Sequence, residues 1–438
     1  MNLKKVYPRV LIVHVAKVKA QDPYNLLIRT QFSEWPKENL AQIHATAETD
    51  GDGEFCGEYY QLKKCDRYFG AIFAKLRSGV FDMVSLNKVN EKQVKKKENI
   101  VKSITKYIKI YLANLFINSG LWEVIFHIRM SAKMDLFISK YKPDIIFCHG
   151  STLGFATLPI MISKKYNFPI CIQMADDWSY GRYINSPVSW LLKKRARDLI
   201  STARVRLAFG EKMKNVFDKR YNVSFEVTYH LDNPERFKIG IENSNKPFRI
   251  VYTGGLGLRR YEAIQDVLAA VRQIPELKDN VEVFVYSSGI PKEMPAELLQ
   301  SSEVEFLPLP SHDDLPSILS EASVLLLPES FNQNRHLIEY SISTKAHLYM
   351  MSRRPVLVYG PSYSGTVDYA VLYGWGLVVS ERNVAKLKEA FIEIFTGSNR
   401  INKMRQCADA CIKSNHNRES GIKRFYELLE NGIQNYHV

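Results

Sequence analysis

The stretch best suited to chemistry in this sequence is F-R-I-V-Y-T-G-G-L-G-L-R-R-Y-E-A, residues 248–263. Four of its first five residues are β-branched or aromatic, which predicts a buried strand. The expected turn and helix start then supply glycines and arginines: Gly254, Gly255, Gly257, Arg259 and Arg260. Glycine lets a backbone approach a ligand closely, and the free N–H groups and dipole of a helix start favour an anion. With two arginines as charge-assisted donors, the pattern predicts a phosphate site.

An ordinary βα turn with solvated arginines would give a similar pattern, so that alternative stays open. Two nucleotide-binding motifs are excluded. No Gly-Lys dipeptide occurs in the chain, so it has no P-loop, and Arg260 stands where a dinucleotide fingerprint has its third glycine. We therefore expect no nicotinamide or flavin, and no other cofactor.

A second candidate is the pair of neighbouring carboxylates Asp176 and Asp177. They follow the predicted strand Phe168–Met174, and open α/β sheets bind ligands at the carboxyl ends of their strands. Helix capping, or an ion pair with Arg182, would explain Asp177, but two successive caps are not expected. Asp176 is therefore the predicted functional member of the pair.

Two parallel sheets would position these candidates. Strand-like apolar runs occupy 9–15, 142–149, 168–174 and 205–209 in the first half, and 249–252, 281–286, 304–307, 324–327 and 355–359 in the second. Helical patterns alternate with them, as in α/β proteins. Periodicity is lost over 222–245, around Asn233 and Pro234, which indicates a linker. We predict domains at 1–235 and 236–415, and a C-terminal helix within 416–438 that could cross back to the first domain.

The composition sets the class of protein and of partner. A chain of 438 residues with 46% hydrophobic and 24% charged residues can bury two or three cores, so it is globular. Its net charge of +14 indicates an acidic partner: nucleic acid, an anionic membrane or phosphorylated ligands. The six cysteines form no C-x-x-C pair and no zinc spacing, which favours a reducing compartment. No apolar run is long enough for a transmembrane helix, so we expect a cytoplasmic protein.

One segment suggests a membrane contact. Residues 88–109 hold eight lysines against two glutamates, and apolar residues recur there at helical spacing. Four lysines project from the opposite face: Lys95, Lys102, Lys106 and Lys109. A solvated surface helix and a peripheral contact with an anionic membrane are both open interpretations.

Several segments resemble the retaining family 4 glycosyltransferases of bacterial capsule, O-antigen and exopolysaccharide synthesis, which have the GT-B fold. Y-T-G-G-L-G-L-R-R from Tyr252 looks like that family's glycine turn, and Ser343-Thr344-Lys345 with the segment 348–361 looks like its P-S-K…P-V-L-x-Y-G-P region. The strands before His149 and Asp176 resemble its first domain more loosely. The resemblance implies α/β structure of GT-B type, two Rossmann-like domains facing across a cleft.

The resemblance also implies roles. Arg260 and Lys345 would stabilise the leaving diphosphate of a nucleotide sugar without a metal, with Arg259 as an alternative to Arg260. Asp176 takes the place of the family's histidine near the anomeric carbon. The remaining donor contacts would come from the turn glycines and from Glu339, Tyr340, Ser343 and Thr344. The family's first glutamate aligns with Tyr340, next to Glu339, and its second, ribose-binding glutamate is replaced by Leu348.

We therefore predict a metal-independent glycosyltransferase that is peripheral to the membrane. It would use a UDP or GDP sugar as substrate and a lipid-linked or polysaccharide acceptor. A nucleotide-sugar epimerase of the same architecture and a catalytically degenerate member are alternatives. A nucleic-acid-binding protein is a third, but no basic-aromatic recognition motif supports it, so nucleic acid is not an expected partner.

Overall fold

The computed structural model describes residues 6–19, 25–46, 54–73, 111–112, 114–237, 247–332 and 335–436. The first domain contains a sheet of seven parallel strands in the order β3-β2-β1-β4-β5-β6-β7. Its strands are β1 (Val10–Val13), β2 (Leu40–His44), β3 (Glu58–Gln61), β4 (Ile145–Cys148), β5 (Ile170–Met174), β6 (Val205–Phe209) and β7 (Glu226–Thr228). The central strands are buried on both faces, which explains their continuous apolar sequences.

The second domain contains six parallel strands in the order β10-β9-β8-β11-β12-β13. They are β8 (Phe248–Thr253), β9 (Val281–Tyr286), β10 (Val304–Leu307), β11 (Val324–Pro328), β12 (Val356–Tyr359) and β13 (Leu377–Val379). In both sheets the strand order reverses beside the first strand of the domain, as in doubly wound folds. Ligands bind at such reversals, outside the carboxyl ends of the two strands that flank them.

Helices cover both sheets. Those of the first half are α1 (Leu26–Gln31), α2 (Leu121–Ile125), α3 (Ala132–Tyr141), α4 (Leu153–Tyr166), α5 (Trp178–Gly181), α6 (Pro187–Thr202) and α7 (Gly210–Tyr221). Those of the second half are α8 (Tyr261–Val271), α9 (Ala296–Leu299), α10 (Leu315–Ser320), α11 (Arg335–Ile338), α12 (Lys345–Met351), α13 (Gly365–Tyr373), α14 (Val384–Thr396), α15 (Asn399–Cys411) and α16 (Arg418–Gln434). Local sequence sets several boundaries. Ser186, for example, caps α6 by accepting from Val188 N, and Pro187 follows at the first helical position.

The last helix returns to the first domain. After a π-helical turn at Ile412–His416, α16 buries Phe425 and Leu429 in a core cluster with Val10 and Phe32. Close contact is possible because a Cβ on Gly432 would lie 2.3 Å from Val205 Cγ2. The chain therefore crosses between the domains twice, once through the linker and once before α16.

The α/β prediction is confirmed, and three strands coincide with the predicted runs: β6, β9 and β10. Four strands were not predicted: β2, β3, β7 and β13. β2 reads L-A-Q-I-H, and its buried Gln42 and His44 interrupt the apolar pattern. β3, β7 and β13 are sheet-edge strands of three or four residues; β3 and β7 have little apolar sequence to reveal them, and β13, which reads L-V-V, is very short. The domain limits at 235/236 and 415/416 stay predictions.

Candidate active site

The glycine turn lies at the strand reversal of the second sheet, directly after β8. Gly254 has a φ of +148°, and a Cβ there would lie 2.9 Å from Lys345 Nζ, so the position requires glycine. Around Gly255 and Gly257 the space is open, with no atom within 4 Å of an added Cβ. The Tyr252 hydroxyl donates to Gly255 O at 2.6 Å and fixes the turn. The turn therefore presents an open backbone surface at the start of α8.

Arg260 is held in place by a buried carboxylate. Its Nη2 lies 3.0 Å from Oε2 of Glu329, the residue that follows β11 on the other side of the strand reversal. Glu329 is 4% exposed, and its Oε1 accepts from Thr366 Oγ1 at 2.8 Å. Arginine has five N–H donors in a rigid fork. The pairing with Glu329 occupies some of these donors and fixes the direction of the remaining ones.

Lys345 begins α12, and its ammonium lies beneath the glycine turn. Its Nζ is 5.7 Å from the centre of the Tyr252 ring, and the described residues offer it no hydrogen-bond or ion-pair partner. Burial, and after it the charge of Arg260, lower the pKa of Lys345 to about 8 against the opposing effect of Glu329. A desolvated cation with no anion in direct contact is a chemical reason to expect an anionic ligand.

The structure corrects the placement of Arg259. We predicted it, together with Arg260, in the first turn of the helix, but α8 begins at Tyr261, after both arginines, and Leu258 and Arg259 both have a φ of +58°. Arg259 pairs with Glu262 at 2.7 Å, and its side chain is 57% exposed. Arg259 is thus largely exposed, whereas Arg260 is held by the buried Glu329, so the two arginines are not equivalent.

The other predicted donor residues are divided between two environments. The Ser343 N–H donates to Thr366 Oγ1 at 2.9 Å, and Thr344 is the exposed residue before α12, so both lie near Lys345. Glu339 pairs with Arg335 at 2.7 Å. The Tyr340 ring packs against Phe217 of the first domain, with 6.0 Å between ring centres. Tyr340 thus contributes to the contact between domains.

Leu348, at the place of the family's second glutamate, is buried in the core of the second domain. It offers no polar group to a ribose.

The two neighbouring aspartates differ sharply. Asp176 is exposed at the end of β5, and its Oδ1 accepts a hydrogen bond from Ser341 of the second domain. Asp177 is buried and forms an ion pair of 2.5 Å with Arg220 of α7. The suggested pairing of Asp177 with Arg182 is wrong, because the Arg182 guanidinium instead donates to Ser151 O. Asp177 precedes α5 but makes no side-chain cap there.

The strand reversal of the first sheet carries two histidines. His14 follows β1 and His149 follows β4, and their ring centres are 5.2 Å apart. His149 lies 3.0 Å from Gln173 Oε1, and burial lowers its pKa to about 3, so it is uncharged at neutral pH. At the reversal itself, His149 therefore offers a hydrogen-bonding group without a charge.

Sequence reasoning missed the partners of the candidate residues: Glu329, Thr366, Ser341 and Arg220. Glu329 could have been found from the sequence, because it follows a predicted strand, as Asp176 does. The other three lie in loops and helices, and only the fold brings them near.

Three further predictions concern metal binding, membrane-spanning helices and the basic lysine segment. Among the described residues, no group of three or more His, Cys, Asp or Glu side chains could hold a metal ion. Within the same part of the chain, every helix is too short or too polar to cross a bilayer. The basic segment with Lys95, Lys102, Lys106 and Lys109 lies outside the described residues.

Comparison with solved structures identifies the architecture. The chain is similar to a sucrose-phosphate synthase from Thermosynechococcus elongatus (11% identity, 96% of this chain and 98% of that chain, TM-score 0.59). It is also similar to HepE from Anabaena in complex with UDP and glucose (13%, 97% and 100%, 0.57). A third similar structure is an α,α-trehalose 6-phosphate synthase from Burkholderia multivorans (10%, 99% and 99%, 0.60). The fold is GT-B.

At these identities the similarity shows the fold alone. No family model matches the sequence, and no curated protein matches it. The GT-B fold nevertheless places the glycine turn and Lys345 in one of its two Rossmann-like domains, and Asp176 in the other.

Proposed function

We propose that this protein is a glycosyltransferase that uses a UDP or GDP sugar as donor and a lipid-linked or polysaccharide acceptor. The observation that carries the proposal is the Lys345 ammonium, which lies partner-free among the described residues beneath the open turn at Gly254. A diphosphate at this turn would supply the missing anion. HepE, a protein of the same fold, has been solved with UDP-glucose, which supports a nucleotide sugar as the ligand.

The chain's own residues suggest how the sugar would be released. When the bond between the anomeric carbon and the diphosphate breaks, negative charge grows on the diphosphate oxygens. Lys345 and Arg260 would stabilise that charge, and Glu329 would keep Arg260 in position. The resemblance to family 4 enzymes supports retention of the anomeric configuration and a mechanism without a metal.

Asp176 would act from the opposite domain. Its carboxylate now accepts from Ser341, so the hydrogen bond to Ser341 would have to exchange for one to the donor sugar. From there it would accept from a sugar hydroxyl or stabilise positive charge at the anomeric carbon. Both interactions strengthen in the transition state.

A thermal-shift screen with nucleoside diphosphates and nucleotide sugars tests the proposal, since a ligand that binds only the folded state raises the melting temperature. We expect UDP or GDP to stabilise the wild type, and the Lys345→Ala variant less. The exposed Lys386, which pairs with Glu381 on the same domain, provides the matched control variant Lys386→Ala. The absence of stabilisation by any nucleotide would contradict the proposal. Conversion of a nucleotide sugar without an acceptor would instead indicate an epimerase.

A further inference from the structure

Three histidine rings are stacked where the chain crosses between the domains. His230 lies on the linker just after β7, His347 lies on α12, and His416 ends the π-helical turn before α16. The ring centres of His230 and His347 are 5.5 Å apart, as are those of His347 and His416, and the angles between the ring planes are only 14° and 23°. We call these three residues the histidine stack. It joins both crossings to one helix of the second domain.

That helix, α12, lies between the stack and the glycine turn. Its first residue is Lys345, and His347 lies on the opposite side of the helix because successive residues are about 100° apart. Tyr349, on the same side as Lys345, accepts a hydrogen bond from Thr253 N at 2.9 Å and holds α12 against the end of β8. One side of α12 therefore contacts the turn at Gly254, and the other contacts the two crossings.

Hydrogen bonds hold the stack in its neutral form. His416 Nδ1 donates to His230 O at 2.7 Å, and the Tyr369 hydroxyl lies 2.8 Å from His416 Nε2. Because a carbonyl oxygen can only accept, Nδ1 carries the proton of the neutral ring, and Nε2 accepts from Tyr369. His347 Nε2 is buried and has no hydrogen-bond partner among the described residues. A proton added at that nitrogen would place a buried charge without an acceptor.

The carboxylates around the stack are already engaged. Asp232, on the linker, pairs with Arg236 at 2.8 Å and lies 3.6 Å from His312 of the second domain. Glu211 of α7 accepts at 2.5 Å from two hydroxyls, those of Tyr229 and Tyr373. These groups therefore offer little compensation for positive charge in the stack.

The other titratable groups at the stack are uncharged at neutral pH. Burial raises the pKa of the Tyr369 hydroxyl and raises that of the Cys411 thiol to about 11. Burial also lowers the pKa of His230 to about 3 and that of His416 to about 4, and it holds the pKa of His347 well below its usual range. The closed stack is therefore neutral, and protons on two of its rings would repel each other.

We infer that the histidine stack is a pH-sensitive joint and that His347 is a positioning residue for Lys345. While neutral, the stack holds α12 against both crossings, and protonation separates the rings and releases α12 together with Lys345. The joint is fully stable above a pH of about 6.5, the usual pKa of histidine, and loses stability as the pH falls toward the lowered values in the closed joint. Only the consequence rests on the proposed function: withdrawal of Lys345 would slow release of the diphosphate at acidic pH.

Hydrogen exchange of the full chain, measured by mass spectrometry, tests the joint without a nucleotide. The segments 228–232, 345–351 and 412–418 are followed at about pH 7.5 and about pH 5, on either side of the usual histidine pKa, with correction for the intrinsic pH dependence of amide exchange. For each histidine that gains a proton on opening, the ratio of open to closed joint rises by up to about tenfold per pH unit below about 6.5. We therefore expect exchange in all three segments to become at least about tenfold faster at the lower pH.

Two phenylalanine variants separate protonation from packing. His347→Phe keeps an aromatic ring in the middle of the stack, cannot be protonated, and attracts a protonated neighbour to its face, so the acceleration should fall below about threefold. His230→Phe tests the same point where melting temperatures show that His347→Phe does not fold. His127→Phe removes a partly buried histidine of the first domain, whose pKa is also lowered by burial, and this matched control should retain the full acceleration.

Three results would overturn the inference. They are exchange in the wild type that does not accelerate at acidic pH, acceleration that is undiminished in the folded phenylalanine variant, and acceleration at the crossings without acceleration in 345–351. Lys345→Ala should leave the acceleration unchanged, because Lys345 lies on the other side of α12. An absence of nucleotide binding would contradict the proposed function and leave the exchange result intact, so the two failures are distinguishable.

Discussion

The two strand reversals of this molecule are built alike but differ in charge. In the second domain, Arg260, Glu329 and Lys345 gather around an open glycine turn. In the first domain the equivalent edge holds His14 and His149, with the pKa of His149 lowered by burial to about 3. The same backbone arrangement thus offers a site for an anion in one domain and a pair of histidines, with His149 uncharged, in the other. In the proposed reaction this difference separates the diphosphate from the hydroxyl-rich part of the substrates.

Lys345→Ala gives the strongest test of this contrast. Because the ammonium would act mainly on charge that develops in the transition state, we expect turnover to fall by on the order of 10²–10³-fold with a modest change in donor affinity. Steady-state kinetics and calorimetry on the same preparation would measure the turnover and the donor affinity. Near-normal turnover would remove Lys345 from the mechanism.

Asp176→Asn and Asp177→Asn compare two carboxylates on the first-domain edge. Asp176→Asn should keep the fold and nucleotide binding but lose most transfer activity. Asp177→Asn should mainly lower the free energy of unfolding, by about 3 kcal/mol, because it leaves Arg220 without its buried partner. Initial rates and melting temperatures of both variants distinguish the role in transfer from the role in stability. If Asp177 controls the rate and Asp176 the stability, the assignment is reversed.

Arg260→Ala should weaken nucleoside-diphosphate binding by about 1.5–3 kcal/mol, the loss of one charge-assisted contact. Arg259→Ala is the matched control, since its exposed guanidinium pairs with Glu262 and should matter little. Calorimetric titration of both variants measures the difference. Unchanged affinity in both variants would contradict the assignment of the diphosphate site.

The pH dependence of nucleotide binding should be the smallest effect. Below a pH of about 8, Lys345 is already protonated in the free protein, and above it binding requires proton uptake because the ligand raises the pKa. Affinity for UDP or GDP should therefore fall modestly between pH 8 and 9, by less than about tenfold. The Lys345→Met variant should show a flat profile. A wild-type profile as flat as that of the variant would contradict the placement of the lysine against the diphosphate.

The contrast between the two edges also shows what the sequence could reveal. The strand β8, the glycine turn and Arg260 are neighbours in sequence, so their pattern could be read directly. The association of Lys345 with Gly254 needs two segments about ninety residues apart, and resemblance to a family suggested it where periodicity could not. The environment of Asp176 and Asp177 was harder to predict from the sequence. Ser341 contacts Asp176, and Arg220 contacts Asp177, only because the folded chain brings distant segments together.

The return of α16 to the first domain has a consequence for how the protein is made. The apolar layer around Val10 and Phe32 is completed by Phe425 and Leu429, residues that are synthesised after the whole second domain. During synthesis, one apolar side of the first domain therefore stays exposed until the entire second domain has been made. Exposed apolar surface of this kind promotes aggregation of partly made chains, so we expect the yield of native protein to depend on chaperones that shield the unfinished domain.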